Sequence, residues 1–244
     1  MHHLEINGGR VLTQRPAVYK LILPPQTVGY GDAQLDDYHG RLRRRYPWRQ
    51  GTHLHLRARF SHGDGTLIGT AGFGFWNAPF GDPATRWPAL PQAVWFFYAS
   101  SPSDLPLAPT GAGRGWFAGT VDATRGRALA LAPFAPLVVL GNRWPRFRQQ
   151  VWPWVQTQLS ISYQPIPHDM TEWHSYELIW LATGCRFVVD GQLLLETPHT
   201  PRGPLGFVCW VDNQYMVVTA EGRLRWGVSA TTAVQWLEIS IGNI

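Results

Sequence analysis

Lysine occurs once in this chain of 244 residues, at Lys20, and cysteine twice, at Cys185 and Cys209. Two cysteines without CxxC spacing exclude a disulfide framework and a zinc knuckle. Each lies in an apolar run, where a thiol behaves as a small buried hydrophobe. Long hydrophobic runs are lacking too. Nowhere do about 18 apolar residues follow one another, and Met1 to Arg10 holds no stretch of the length a secretory leader requires. The default expectation is a soluble protein of the reducing cytoplasm with no membrane partner, or a secreted one had a leader been removed. Also lacking are Gly-x-Ser-x-Gly, His-Glu-x-x-His and any glycine loop that cradles phosphate, which excludes the commonest hydrolase, zincin and nucleotide-binding classes. No window sustains a helical period with caps at its ends.

What is present points to strands. Glycine (25) and proline (20) are spread along the whole chain, which suits many short strands joined by turns. In His53 to Phe60, the residues His53, His55, Arg57 and Arg59 alternate with Leu54, Leu56, Ala58 and Phe60, the period-two pattern of a half-buried strand. Further strand signals are Ala17 to Leu23, Thr70 to Trp76, Gln92 to Ala99, Gly115 to Val121 and Leu137 to Leu140. The stretch Ala123 to Pro165, rich in arginine, proline and tryptophan, reads as long loops with two strands at most. After it come His174 to Leu181, Cys185 to Asp190, Gln192 to Thr197, Leu205 to Val211, Tyr215 to Thr219, Arg223 to Trp226 and Val234 to Ile241. Asp190-Gly191 between two of these runs is a hairpin signal, since both types tolerate the positive φ of a type I′ turn. About a dozen strands, no helix, no repeat and no linker make one all-β domain over residues 1–244.

A family resemblance rests on particular residues. Trp173-His174-Ser175-Tyr176-Glu177-Leu178-Ile179-Trp180 followed by Cys185-Arg186-Phe187-Val188-Val189-Asp190-Gly191 resembles a hairpin of the concanavalin A-like lectins and glucanases, including glycoside hydrolase family 16. Gly72-Phe73-Gly74-Phe75-Trp76 is similar to that family's aromatic cleft strand, and Trp236-Leu237-Glu238-Ile239 to its closing strand. The resemblance implies a two-sheet antiparallel jelly-roll sandwich that takes an oligosaccharide or polysaccharide across one sheet. It also implies a catalytic strand bearing Glu-x-Asp-x-(x)-Glu, because retaining glycosidases set two carboxyls about 5–5.5 Å apart. The counterpart here, Ala93-Val94-Trp95-Phe96-Phe97-Tyr98-Ala99, has no acid, and none occurs between Asp82 and Asp104. No catalytic residue is therefore assigned.

Function is read from what remains. Thirteen tryptophans exceed the needs of an ordinary core, and flat rings stack on the apolar faces of sugars. The candidate ligand residues are Trp76 at the end of the cleft-like strand and Trp95 on the acid-free strand. Trp210 and Asp212 share one face of the run Phe207 to Asp212, and Asn213 and Arg57 complete the set. Asp212-Asn213 reads equally as a turn. The first reading is a non-catalytic jelly roll that binds a glycan or another polar ligand. A hydrolase or lyase with a relocated carboxylate pair, built from Asp212 with Asp82 or Glu177, is the second. A structural or protein-interaction domain whose groove is filled by its own side chains is the third. No cofactor is expected and no metal is assigned: His53 and His55 share a strand face, with His39 or His62 as further donors, but a polar face explains them as well, and no loop is dense enough in Asp and Asn for calcium. The run Arg41, Arg43, Arg44 and Arg45, with Tyr46, Trp48 and Arg49, reads as a solvated loop and not as a nucleic-acid grip.

Overall fold

The computed structural model of the chain describes residues 1–81 and 87–244. Its strands are β1 (His2–Ile6), β2 (Arg10–Arg15), β3 (Val18–Leu23), β4 (Asp32–Asp36), β5 (Thr52–Phe60), β6 (Thr70–Trp76), β7 (Gln92–Ala99) and β8 (Gly115–Asp122). They continue with β9 (Ser162–Pro165), β10 (His174–Leu181), β11 (Gly184–Val189), β12 (Gln192–Thr197), β13 (Gly206–Asp212), β14 (Gln214–Val218), β15 (Leu224–Val228) and β16 (Gln235–Asn243). Two seven-stranded sheets form, in the orders β1-β4-β13-β6-β7-β8-β9 and β12-β11-β10-β5-β16-β3-β2, while β14 and β15 pair as a separate hairpin. Neighbours within each large sheet run antiparallel. The architecture is a two-sheet antiparallel jelly-roll sandwich.

Side-chain alternation sets which face each sheet turns inward. Along β5, Leu54, Leu56, Ala58 and Phe60 are buried, and in β10 and β11 so are Tyr176, Leu178, Trp180, Cys185, Phe187 and Val189. The first sheet answers with Phe73, Phe75, Val94, Phe96, Tyr98, Trp116, Phe207 and Cys209. Ring pairs bridge the layers, with Tyr176 5.0 Å from both Phe73 and Phe96, and Phe187 5.3 Å from Phe96. Such edge-on pairs add specificity to the burial of apolar area. Both cysteines are free and buried, and burial pushes the Cys185 thiol up to about 12, which leaves it unreactive. Between β11 and β12, Asp190 and Gly191 both take positive φ, 50° and 76°, as the hairpin signal requires.

The expectation of an all-strand chain fails in one place. Residues Ala123 to Pro165 contain α1 (Gly126–Leu129), α2 (Ala135–Gly141) and α3 (Pro145–Gln158), with a 3₁₀ turn at Ala132–Phe134. Leu137 to Leu140, read as a strand, lie inside α2. Two prolines taken as breakers sit instead in first helical turns, Pro136 in α2 and Pro145 in α3, where the missing N–H costs nothing and the fixed φ suits the helix. The inward stripe of α3 is short and includes Gln156, and many apolar side chains of the excursion do not face the core: Phe134, Leu137, Leu140, Trp144 and Trp154 are exposed. The basic run also takes a definite shape. Arg43–Arg45 form a 3₁₀ turn, and the Arg43 guanidinium donates to the carbonyls of Asn77, Ala78 and Trp87 at 2.7–2.8 Å.

Candidate functional site: an aromatic face on the first sheet

The outer face of the first sheet is built by alternation on four adjacent strands. Register pairs Trp210 with Gly72 and Gly72 with Phe97, then Phe97 with Phe117. The next row pairs Val208 with Gly74, Gly74 with Trp95, and Trp95 with Gly119. Glycines therefore stand between the large rings. A Cβ added at Gly74 would lie 2.6 Å from the Trp95 Cα, and one at Gly72 3.0 Å from the Trp210 ring. Only glycine lets these rings lie flat over β6.

Trp76, Trp95 and Trp210 form a triangle with ring centroids 6.1, 6.2 and 5.9 Å apart, Trp76 and Trp210 being parallel to within 4°. Phe97 lies 4.8 Å from Trp95 and 5.4 Å from Trp210, and the series continues through Phe117 to Tyr163. Depth differs across the group. Trp210 and Phe97 are 7% and 8% exposed, whereas Trp76 and Trp95 are half-buried. Leu105, Leu107, Leu159 and Ile161 pack at the Phe117 end, with Tyr38, Tyr46 and Ala78 in the same cluster. The face is thus a second hydrophobic core whose accessible rings are Trp76, Trp95 and, at the far end, Tyr163. Polar atoms border it: the Trp76 indole N–H donates to the Tyr38 hydroxyl at 2.8 Å, and Gln34 Nε2 donates to Tyr38 at 3.3 Å and to Asp36 at 3.0 Å.

At one end of the face two acids meet. Asp32 and Asp212 are register partners on β4 and β13, and both are almost wholly buried. Asp212 accepts from the Thr70 N–H (3.1 Å) and hydroxyl (2.9 Å), from the Gln214 N–H (3.1 Å) and from the Gln214 side chain (2.7 Å). Burial nonetheless pushes its carboxyl up to about 7, those donors opposing. Asp32 is raised well above the ordinary carboxylate range by burial and then by the charge of Asp212, and its Oδ1 finds no hydrogen-bond partner among the described residues. The four donors on Asp212 favour its charged form, while burial and the neighbouring acid favour the protonated form of Asp32. Tyr30 lies against both, its phenol pushed up by burial and by the two acids.

The structure gathers Trp76, Trp95 and Trp210 as a unit and sets the other candidates apart. Asp212 reaches the unit only through Thr70, whose hydroxyl accepts the Trp210 N–H at 2.9 Å. Asn213 spends its side chain on backbone, accepting from Gly31 N–H and donating to the carbonyls of Gly29 and Ser229. Arg57 sits on the outer face of the other sheet, beside an open hollow of about 460 Å³ with Arg59, Trp173 and Glu238. Glu177 also belongs to that sheet, bonded to His53, and Asp82 falls outside the described residues. His55 bonds Ser175, so neither strand histidine joins His39. Instead His2, Asp36 and His39 bring one ligand atom each within 4.8 Å of one another, with Gln34 orienting the carboxylate. That donor set suits a divalent transition metal. Sequence reasoning missed Phe97, Asp32 and this trio. The alternation of Thr70, Gly72, Gly74 and Trp76 was the available signal for a ring-lined face.

No protein-family model matches the chain, and no curated protein matches it in sequence. Solved structures similar to it include an endo-β-1,4-glucuronan lyase from the fungus Trichoderma reesei, at 12% identity and a TM-score of 0.44 over 98% of this chain and 88% of that one. Another is a Bacillus licheniformis β-glucanase, at 9%, 0.46, 95% and 79%. A GlcNAcα1-4Gal-releasing endo-β-galactosidase from Clostridium perfringens gives 12%, 0.47 and 96%, and this chain spans 53% of that protein's length. These are likenesses in outline. The fold stands on strand order and register, and the site on its own side chains.

Proposed function

We propose that the outer face of the first sheet binds a saccharide chain by stacking sugar rings on Trp76 and Trp95, and does so without cleaving it. The observation that carries this reading is the tryptophan triangle spread over β6, β7 and β13, with the two accessible rings uppermost. Buried Trp210 and Phe97 form the floor that holds them, and Gln34 and Tyr38 bring polar atoms to the margin. Flat rings flanked by polar atoms suit a ligand whose faces are apolar and whose rim is hydroxylated.

The strands that carry the tryptophan triangle, β6, β7 and β13, bear no exposed carboxyl. A general acid or base must come within hydrogen-bond reach of the scissile bond, and β7 bears no carboxyl. The acids that share this face, Asp32, Asp36 and Asp212, stand at one margin with at most 2% of their surface exposed. Incubating the protein with cellohexaose and an oligoglucuronate tests both halves. Quenching or shifting of tryptophan fluorescence without new reducing ends is the expected result, and release of reducing ends overturns the non-catalytic half.

A second reading is favoured by the slight exposure of Trp210 and Phe97. In it the rings are a closed core serving structure alone. Under that reading neither sugar changes the fluorescence.

A further inference from the structure

The excursion between β8 and β9 is unlike the rest of the chain. Residues 128–141 contain no side chain that hydrogen-bonds or carries charge, and between Asp122 and Asp169 five arginines occur with no aspartate or glutamate. In a water-soluble domain a run of this kind packs inward. Here it does not: Leu129, Phe134, Leu137 and Leu140 are 49%, 56%, 67% and 47% exposed, and Trp144 and Trp154 follow at 61% and 51%.

Its tethering is local. Asp122 N–H donates to the Leu159 carbonyl, and Gln156 donates to the carbonyls of Pro106, Leu107 and Ala108. The tip of the β14–β15 hairpin joins it, through Asn142 to the Ala220 carbonyl and through Arg148 to Glu221. That hairpin adds a stripe of its own, since Leu224, Trp226 and Val228 on alternate positions of β15 are all exposed. Arg143, Arg146, Arg223 and Arg225 are exposed around these residues.

We propose that this excursion and the β14–β15 hairpin seat the protein on an anionic phospholipid surface, lying in the interface without crossing it. No described helix is long and apolar enough to span a bilayer. Exposed Leu, Phe and Trp entering the acyl boundary, with arginines at headgroup level, is the pattern of an interfacial anchor. Charge complementarity selects the occupant: the excess of arginine matches lipid phosphates. Residues 128–141 offer no polar side chain with which a protein partner would fix its register. The inference does not depend on the saccharide reading, and it departs from the expectation of no membrane partner.

Flotation with vesicles of phosphatidylcholine alone, and of phosphatidylcholine with 30% phosphatidylglycerol, tests it on the full chain. The protein is expected to float with the anionic vesicles at least tenfold more than with the neutral ones, and partly to release at 0.5 M salt. Phe134→Asp combined with Leu137→Asp abolishes flotation while leaving the melting temperature unchanged, because both side chains already face solvent. Arg143→Glu with Arg146→Glu weakens binding to anionic vesicles and removes its salt dependence, a readout that survives if the first variant misfolds. Failure to float with either vesicle overturns the proposal, as does equal flotation with both. Self-association abolished by the Phe134/Leu137 pair, without flotation, overturns it in favour of a second copy of the chain.

Discussion

Asp212 and Trp210 lie two residues apart on β13 and are joined through one hydroxyl: Trp210 donates its indole N–H to Thr70 at 2.9 Å, and Thr70 donates onward to Asp212 at 2.9 Å. The floor of the aromatic face is therefore fixed by a buried carboxylate, itself opposite Asp32.

Removing the relay tests this. Thr70→Val keeps the shape of the side chain and deletes the hydroxyl, leaving a buried indole N–H unpaired. Urea unfolding is expected to show a loss of about 1–3 kcal/mol. A loss below about 0.5 kcal/mol contradicts the relay.

The acid pair sets a pH dependence. Burial pushes the Asp212 carboxyl up to about 7 in the folded state, above the ordinary carboxylate range, and Asp32 is raised as well. Between about pH 4 and 7 the folded protein holds protons that the unfolded chain has released. Stability from this pair is thus fully present below the unfolded value and is lost as pH rises through the folded one. Asp32→Asn removes the Asp32 share of this loss and leaves that of Asp212, so the melting temperature is expected to fall less between pH 5 and 8 than that of the wild type. Parallel profiles for the two proteins contradict the assignment.

The glycine track carries a steric prediction. Gly74→Ala places a methyl 2.6 Å from the Trp95 backbone, and overpacking of this kind costs about 1–3 kcal/mol. Trp95 must shift with its strand. Thermal denaturation and tryptophan emission are both expected to change, and an unaltered spectrum contradicts the close approach.

In the interlayer core, Phe96 touches Phe73, Tyr176 and Phe187 and is fully buried. Truncation to alanine is expected to cost about 3–5 kcal/mol, read by urea unfolding. A cost below about 1 kcal/mol would mean the sheets do not interlock there.

Legibility followed burial. Strands with one face in the core, such as β5 and β10, were visible because Leu54, Leu56 and Ala58, or Tyr176, Leu178 and Trp180, repeat every second residue. The edge strands β1 and β2 were not, since few of their side chains are buried, none in β1 and Val11 alone in β2, and β4 hid because its buried Asp32 and Asp36 mimic a loop. The helices of the β8–β9 excursion escaped because Phe134 and Leu137 face outward and the inward side of α3 is short and partly polar, with Val155 and Gln156 as its buried residues. The tryptophan triangle was legible from the faces of β6, β7 and β13. Arg57 was misplaced beside it, because sequence alternation gives a side chain's face but not which of two sheets owns the strand.

Titration of cellohexaose and an oligoglucuronate, followed by tryptophan fluorescence, into wild-type protein and the Trp76→Ala and Trp95→Ala variants tests the central claim most directly. Saturable quenching by at least one sugar in the wild type, weakened at least tenfold in each variant while the melting curves stay cooperative, is the result expected. No spectral change in the wild type with either sugar, or equal affinity in all three proteins, contradicts it and leaves the aromatic face as a closed core.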